Sequence, residues 1–433
     1  GTGSVGEHAG TRWPGVATTM SQGEDFRKGE RREGWAVPLD AVAAFTQGAS
    51  VSVAPERIEQ ELLSLWRRAS ERAQAKGAAF AVTRACQWNL IVHTHGEVEL
   101  LAAKQIIDMV TESVPCRVLF LHETEEASDG GLIGDDGAPL RASVEANFRD
   151  SQSGRREIVA EEITIETPQL HSRRLPGLLR ALLLPDVPTA LLVGNPARDV
   201  EWLRPLCGDA DRFVFDSGRL SGFAELGKVA QVLDELYGGS NGSVERMDLG
   251  WLRLWPWRLL LSSLYDAPES RAGLSSLREI VVRYVPGGEA AALLLAGWLI
   301  GRLRLVMTGT LAEDGSAQLL PGAGSAVTCP VQLRLGLCSQ GRSPTGLVEV
   351  ALLQGDASLS AAVCADGSGI LLSSPFQPPR TQPMRGRPDA ELWVAALGVG
   401  GRDPLMYEAL RLGAALLLGD EIFREQQQPE VRW

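Results

Sequence analysis

Apolar and polar positions along this chain alternate between two rhythms. After a charged, Gly-rich opening without sustained periodicity (residues 1–50), Ile58, Leu62, Leu65, Trp66 and Ala69 recur at helical spacing and predict a helix beginning after Pro55. Residues 89–93 and 117–121 read as apolar strands. Between them, 97–111 reads as a helix with Leu100, Leu101, Ile107 and Val110 on its inner side. This is a β-α-β unit, for which a right-handed crossover is expected. Residues 143–148 and 157–166 predict an antiparallel pair added to the same sheet, and the alternation E-I-V-A-E-E-I-T-I-E gives the second strand one solvated face. A helix over 170–183 and a turn carrying Pro185 and Pro188 lead to the fully apolar run 189–193, the mark of a strand covered on both faces. Helices over 199–207 and 222–237 flank a strand at 212–216.

The clearest break is Gly238-Gly239-Ser240-Asn241-Gly242-Ser243. Beyond it, a strand at 278–284 and a helix at 289–303 precede strands at 331–337, 347–353, 359–364 and 369–373, whose succession predicts antiparallel pairing. A Pro-rich loop at 375–388 leads to two closing helices, near 390 and over 403–418. The reading is an α/β chain of two domains, each a mixed sheet flanked by helices, with a disordered N-terminal tail. The boundaries are 1–50 for the tail, 51–237 for the N-terminal α/β domain, 238–247 for the linker and 248–433 for the C-terminal α/β domain. No repeat with a period of 20–50 residues is apparent, which argues against a solenoid.

Charge narrows the function classes. A net charge of −12 lacks the basic footprint of a nucleic-acid binder, and Arg155-Arg156 and Arg173-Arg174 are only short basic pairs. The most apolar run, 290–300, is closed by Arg302 and Arg304 and is too short to span a bilayer. Residues 1–50 have no apolar signal core. Six cysteines without a C-x-x-C pair fit reduced thiols and a cytoplasmic location.

Chemical motifs are sparse. No G-x-G-x-x-G follows a predicted strand and no G-x-x-x-x-G-K-[ST] is present. Asp366-Gly367-Ser368-Gly369 comes nearest to a nucleophile elbow, but it lies between two predicted strands and reads as a hairpin turn. His93-x-His95 places two imidazoles on one strand face, and His122 ends the neighbouring predicted strand. No acidic ligand sits at a telling spacing, so no metal site and no cofactor are expected. Glu161-Glu162 and Glu166 offer an acid/base pair, but alternation puts Glu162 and Glu166 on one face and Glu161 on the other, and a solvated strand face is the preferred reading. Gly287-Gly288 before the helix at 290 offers the anion site that any Gly-preceded helix offers. Cys116, beside Arg117, is the candidate redox thiol, with burial as the alternative reading.

Residues 248–260 contain Trp251, Trp255 and Trp257, three of the chain's 11 tryptophans, followed by Arg258. Pro256 fits the first turn of a helix running through Leu264. Such a cluster either docks two domains or meets a partner, and its position directly after the break favours docking. The segment contains no nucleophile, base or metal-ligand set.

Several segments together carry a resemblance. They are Gln87-Trp88-Asn89-Leu90-Ile91-Val92, Val114-Pro115-Cys116-Arg117, Glu161-Glu162-Ile163-Thr164, Leu184-Pro185-Asp186-Val187-Pro188, and Arg212-Phe213-Val214-Phe215-Asp216-Ser217. Asp248-Leu249-Gly250-Trp251 with Pro256-Trp257-Arg258 follows, and then Leu294-Leu295-Ala296-Gly297-Trp298-Leu299. In this order they resemble the glucose-6-phosphate dehydrogenase assembly protein family, OpcA, over roughly residues 55–305. Asp403-Pro404-Leu405-Met406-Tyr407 fits the family's end. The chain departs from the pattern after 189–193, where many members carry tryptophans and this chain has Gly194-Asn195-Pro196. The resemblance implies a non-catalytic partner of glucose-6-phosphate dehydrogenase in the oxidative pentose phosphate pathway, one that promotes the enzyme's assembly and active state by preferring that state. The alternative is an α/β enzyme binding a sugar phosphate or nucleotide at the strand ends, near His93, His122 and Asp216.

Overall fold

The computed structural model describes residues 51–53, 57–75, 83–84, 86–124, 132–133, 139–150, 156–167, 175–198, 203–237, 244–339, 341, 343–384, 386–398 and 403–419. The expected disordered tail, the Gly/Ser break at 238–243, Arg155, Arg173 and Arg174 lie outside these residues, as do positions 199–202 of the helix expected at 199–207.

The first sheet comprises β1 (Val51–Val53), β2 (Thr83–Arg84), β3 (Trp88–His95), β4 (Cys116–Glu123), β5 (Leu132–Ile133), β6 (Pro139–Asp150), β7 (Arg156–Thr167), β8 (Thr189–Val193), β9 (Arg212–Phe215) and β10 (Glu245–Asp248). Its main order is β1-β6-β7-β4-β3-β8-β9-β10. From β7 to β10 the pairings are all parallel, while β6 runs antiparallel to β7 and to β1. Order reverses at β3: the chain steps one way to β4 and then returns to the other side through β8, β9 and β10. Open α/β sheets bind ligands outside the carboxyl ends of the strands at such a switch.

The strands are apolar runs because both faces are covered. On one face, Ile91, Leu119, Ile163, Leu191 and Phe213 pack with α1 (Ile58–Ala75) through Ile58 and Leu62, and with α3 (Leu175–Leu182). On the other, Leu90, Val92, Val118, Phe120 and Leu192 pack with α2 (Gly96–Thr111). Of the positions expected inside α2, Leu101 is 53% exposed, whereas Leu100, Ile107 and Val110 are buried. At about 100° per residue, Leu101 turns away from the stripe that Leu100 begins. The inward row is completed by Ala103 and Ile106.

The solvated face expected for β7 is not present: Glu161 and Glu162 are both buried. Helices cover both faces of β7, α1 reaching Glu161 through Trp66 and α2 reaching Glu162 through Lys104, so alternation assigns each glutamate to a different covered face rather than one to water.

α4 (Phe223–Tyr237) closes the first half. After it, β10 completes the first sheet, and α5 (Leu249–Arg253), α6 (Trp255–Ser263), α7 (Pro268–Gly273) and α8 (Glu289–Leu303) connect to the second sheet. That sheet comprises β11 (Leu277–Tyr284), β12 (Leu305–Met307), β13 (Ser316–Pro321), β14 (Val331–Leu337), β15 (Leu347–Gln354), β16 (Ala357–Val363), β17 (Gly369–Ser374) and β18 (Gln377–Pro383). Its order is β12-β13-β14-β11-β15-β16-β17-β18, antiparallel except for the parallel β11–β14 pair. The loop expected over 375–388 contains β18. Pro378, Pro379 and Pro383 are tolerated there because β18 is an edge strand, where a missing N–H need not break a ladder.

Two final helices, α9 (Asp389–Gly398) and α10 (Pro404–Leu418), tie the halves together. Leu392, Trp393 and Ala396 of α9 join the α2 side of the first core, and Arg212 Nη1 donates to the carbonyl of Leu397 at 2.7 Å. α10 packs on α4 and α8 within one continuous core that extends from the first sheet into the second. A Cβ on Gly297 would lie 2.1 Å from the carbonyl oxygen of Ala409, and one on Gly413 would lie 2.7 Å from that of Leu293. The reciprocal glycines let the two helix backbones touch.

Candidate functional site

The tryptophan segment is built from the end of β10. Asp248 caps α5, accepting from Gly250 N at 2.9 Å, and also accepts from Ser217 N at 2.9 Å and Ser217 Oγ at 2.7 Å. A Cβ on Gly250 would lie 2.0 Å from Ser217 Oγ, so the Asp-Leu-Gly-Trp turn requires glycine at its third position. Burial pushes Asp248 up to about 6, against the hydrogen bonds that pull it down.

The three tryptophans differ in their surroundings. Trp251 and Trp257 are buried. Trp251 Nε1 donates to Asp403 Oδ2 at 2.7 Å, and Trp257 Nε1 donates to Thr345 Oγ1 at 2.9 Å. Arg258 is also buried; its guanidinium stacks 3.5 Å from the centre of the Trp251 ring and donates to the Trp251 carbonyl. Burial lowers Arg258 to about 10, offset in part by Asp403. Trp255, by contrast, is 58% exposed, and Leu259, one helical turn on, is 55% exposed. Of the four candidate partner-binding residues, Trp251, Trp257 and Arg258 therefore sit inside the molecule and Trp255 lies on its surface. Leu259 did not stand out in the sequence, although its spacing of four from Trp255 was the available signal.

At the carboxyl ends of β3 and β4, His93, His95 and Glu123 converge, with their ligand atoms all within 4.8 Å of one another. His95 Nδ1 lies 2.5 Å and His93 Nε2 3.8 Å from Glu123 Oε2. The parallel register sets His95 opposite Glu123 and puts His93 on the same sheet face. His122 pairs with Thr94 instead, on the opposite face, 3.4 Å from Thr94 Oγ1. The carboxylate that appeared to be missing from the sequence comes from the adjacent strand. No local spacing reveals it, because only sheet register joins positions 95 and 123.

Asp216 directly follows β9 and is committed to arginines. Arg253 binds both of its carboxylate oxygens, Arg219 Nε donates to it at 3.0 Å, and Arg253 reaches on to Asp389 at 2.8 Å. Burial alone would raise Asp216, but the two guanidiniums outweigh it and hold the carboxyl below its usual range. This network ties α9 to the first sheet.

On the α2 side, Glu162 and Asp108 share the amide of Asn147, with Lys104 Nζ 3.7 Å from both Glu162 and Glu145. On the other side, Arg117 binds Glu161 at 2.8 Å and the Leu182 carbonyl at 2.7 Å, and also pairs with Glu59. Cys116 is fully buried and its thiol donates to the Val114 carbonyl at 2.9 Å. Burial pushes the thiol well up, opposite to the depressed value a redox sensor needs.

The structure thus defines a two-sheet α/β protein with a tryptophan-anchored junction, and no helix of its described residues is long and apolar enough to cross a membrane. Residues 107–231 match the glucose-6-phosphate dehydrogenase subunit N-terminal domain and residues 244–410 the corresponding C-terminal domain, so the chain belongs to the OpcA family of glucose-6-phosphate dehydrogenase assembly proteins. It is 27% identical over 207 residues to an OxPP cycle protein OpcA of Synechocystis sp., covering 47% of this chain and 40% of that one. A second OxPP cycle protein OpcA, from Nostoc punctiforme, is 28% identical over 213 residues, covering 49% of this chain and 43% of its relative. The chain thus spans less than half the length of these curated relatives. Among solved structures, a 3-ketoreductase from Actinomadura kijaniata in complex with TDP-benzene and NADP is 11% identical with a TM-score of 0.42, covering 77% of this chain and 98% of that one. A likeness of that degree carries no argument about chemistry.

Proposed function

We propose that this chain is a non-catalytic, cytoplasmic assembly factor and allosteric activator that binds glucose-6-phosphate dehydrogenase and favours its assembled, active state. Family membership supports the partner. The observation that supports the mode of contact is the exposed Trp255–Leu259 pair on α6, a helix anchored in the core by the buried Trp257. Large aromatic side chains displayed on a fixed helix are the usual energetic centres of protein interfaces. An activator works by binding the active state more tightly than the idle one, and a tenfold preference corresponds to about 1.4 kcal/mol.

The test mixes the purified chain with the matching dehydrogenase. The reading expects a lower substrate KM or a larger enzyme oligomer, with both effects lost in Trp255→Ala. If no complex elutes on gel filtration and neither property changes, the reading fails.

A further inference from the structure

We propose that His93, His95 and Glu123 form a binding site for a single divalent transition-metal ion of the zinc class. The donor set is two imidazoles and one carboxylate, the chemistry that zinc takes in sites with an open coordination position. Three independent observations bring it together. The His-x-His spacing on β3 puts both rings on one sheet face, with centroids 4.4 Å apart. The parallel register of β4 then sets Glu123 beside His95. Finally, the cluster stands at the carboxyl end of β3, the strand at which the sheet order reverses and where α/β sheets place their ligands.

The distances suit an ion. Metal–ligand bonds of about 2.0–2.2 Å in a tetrahedral site separate the donor atoms by about 3.3–3.6 Å. The two separations to Glu123 Oε2, 2.5 Å from His95 and 3.8 Å from His93, bracket that range. A turn of the part-exposed His95 ring would lengthen the shorter separation into that range, while His93, whose side chain is only 2% exposed, provides the fixed ligand. The side chains of His95 and Glu123 are 31% and 28% exposed, so the fourth position faces solvent and takes water. The site shares no residue with the Trp255–Leu259 pair, and it stands or falls independently of the dehydrogenase.

The experiment uses the full chain, stripped with chelator and then titrated with Co(II) and Zn(II). Metal content is read by mass spectrometry and ligand geometry by the Co(II) visible spectrum. One equivalent of metal with a tetrahedral or five-coordinate Co(II) spectrum is expected. Affinity should fall at least tenfold in His95→Gln, a change at a part-exposed position that spares the core, and again in Glu123→Gln. Failure to retain one equivalent of either metal overturns the proposal. So does unchanged affinity in both variants, which would leave His95 and Glu123 as a hydrogen-bonded pair.

Discussion

Trp251 Nε1 donates to Asp403 Oδ2 at 2.7 Å, joining α5 to the start of α10 across 152 residues of chain. The other oxygen of Asp403 accepts from Leu405 N at 3.0 Å and Met406 N at 3.2 Å and caps α10. One carboxylate therefore fixes both the tryptophan segment and the last helix. Asp403→Ala removes the cap and the indole's acceptor together. A lost cap alone costs about 1 kcal/mol, and the stranded buried indole adds about 1–3 kcal/mol. A urea melt should show a lower midpoint with an unchanged slope, whereas Asp403→Asn, which keeps one acceptor oxygen, should recover part of the loss.

The close crossing of α8 and α10 predicts a sharper effect. A methyl group at Gly297 meets the Ala409 backbone carbonyl, which has no side-chain freedom to yield. Overpacking of this kind costs about 1–3 kcal/mol or more. Gly297→Ala should lower the melting temperature more than Gly398→Ala, because a Cβ at Gly398 meets nothing within 4 Å.

Two acids, the buried Glu162 facing α2 and the part-buried Asp108 on it, make stability depend on pH. Burial is the main cause that raises Glu162 to about 8 and Asp108 to about 6, with neighbouring carboxylates adding to it and Lys104 opposing it. Both groups hold protons in the folded chain at pH values where the unfolded chain has released them. Their stabilisation is therefore complete below about pH 4, the ordinary carboxylate range, and is lost as pH rises through 6 and then 8. Glu162→Gln should flatten the decline in denaturant midpoint between pH 6 and pH 8 and leave the variant more stable than the parent at pH 8. A parallel decline in parent and variant would contradict this.

Much of the architecture was legible in the sequence because the strands of a doubly covered sheet are short apolar runs and the helices keep a clear 3.6-residue stripe. What escaped depended on tertiary neighbours. Glu161 and Glu162 read as solvated because alternation reports two faces without saying whether both are covered. β18 read as loop because its prolines exclude a central strand but not an edge one. The His93–His95–Glu123 cluster stayed hidden because its third member lies one strand away in register, 28 residues on in sequence.

The two tryptophans of α6 separate folding from contact. Trp257 is fully buried, and truncating a residue of that size costs about 3–5 kcal/mol, so Trp257→Ala should lower the yield of folded protein. Trp255→Ala removes mostly exposed surface and should leave the melting temperature within about 1 °C, consistent with the small effects typical of surface changes.

The central claim, that the exposed Trp255–Leu259 face engages the dehydrogenase, is tested most directly by titrating the enzyme with the parent chain and with Trp255→Ala and following the enzyme's KM for glucose 6-phosphate. The account predicts that the parent lowers KM, while the folded variant requires at least tenfold more protein to do so. Equal potency of parent and variant would remove the contact from this face, and no response to the parent would contradict the proposed activation itself.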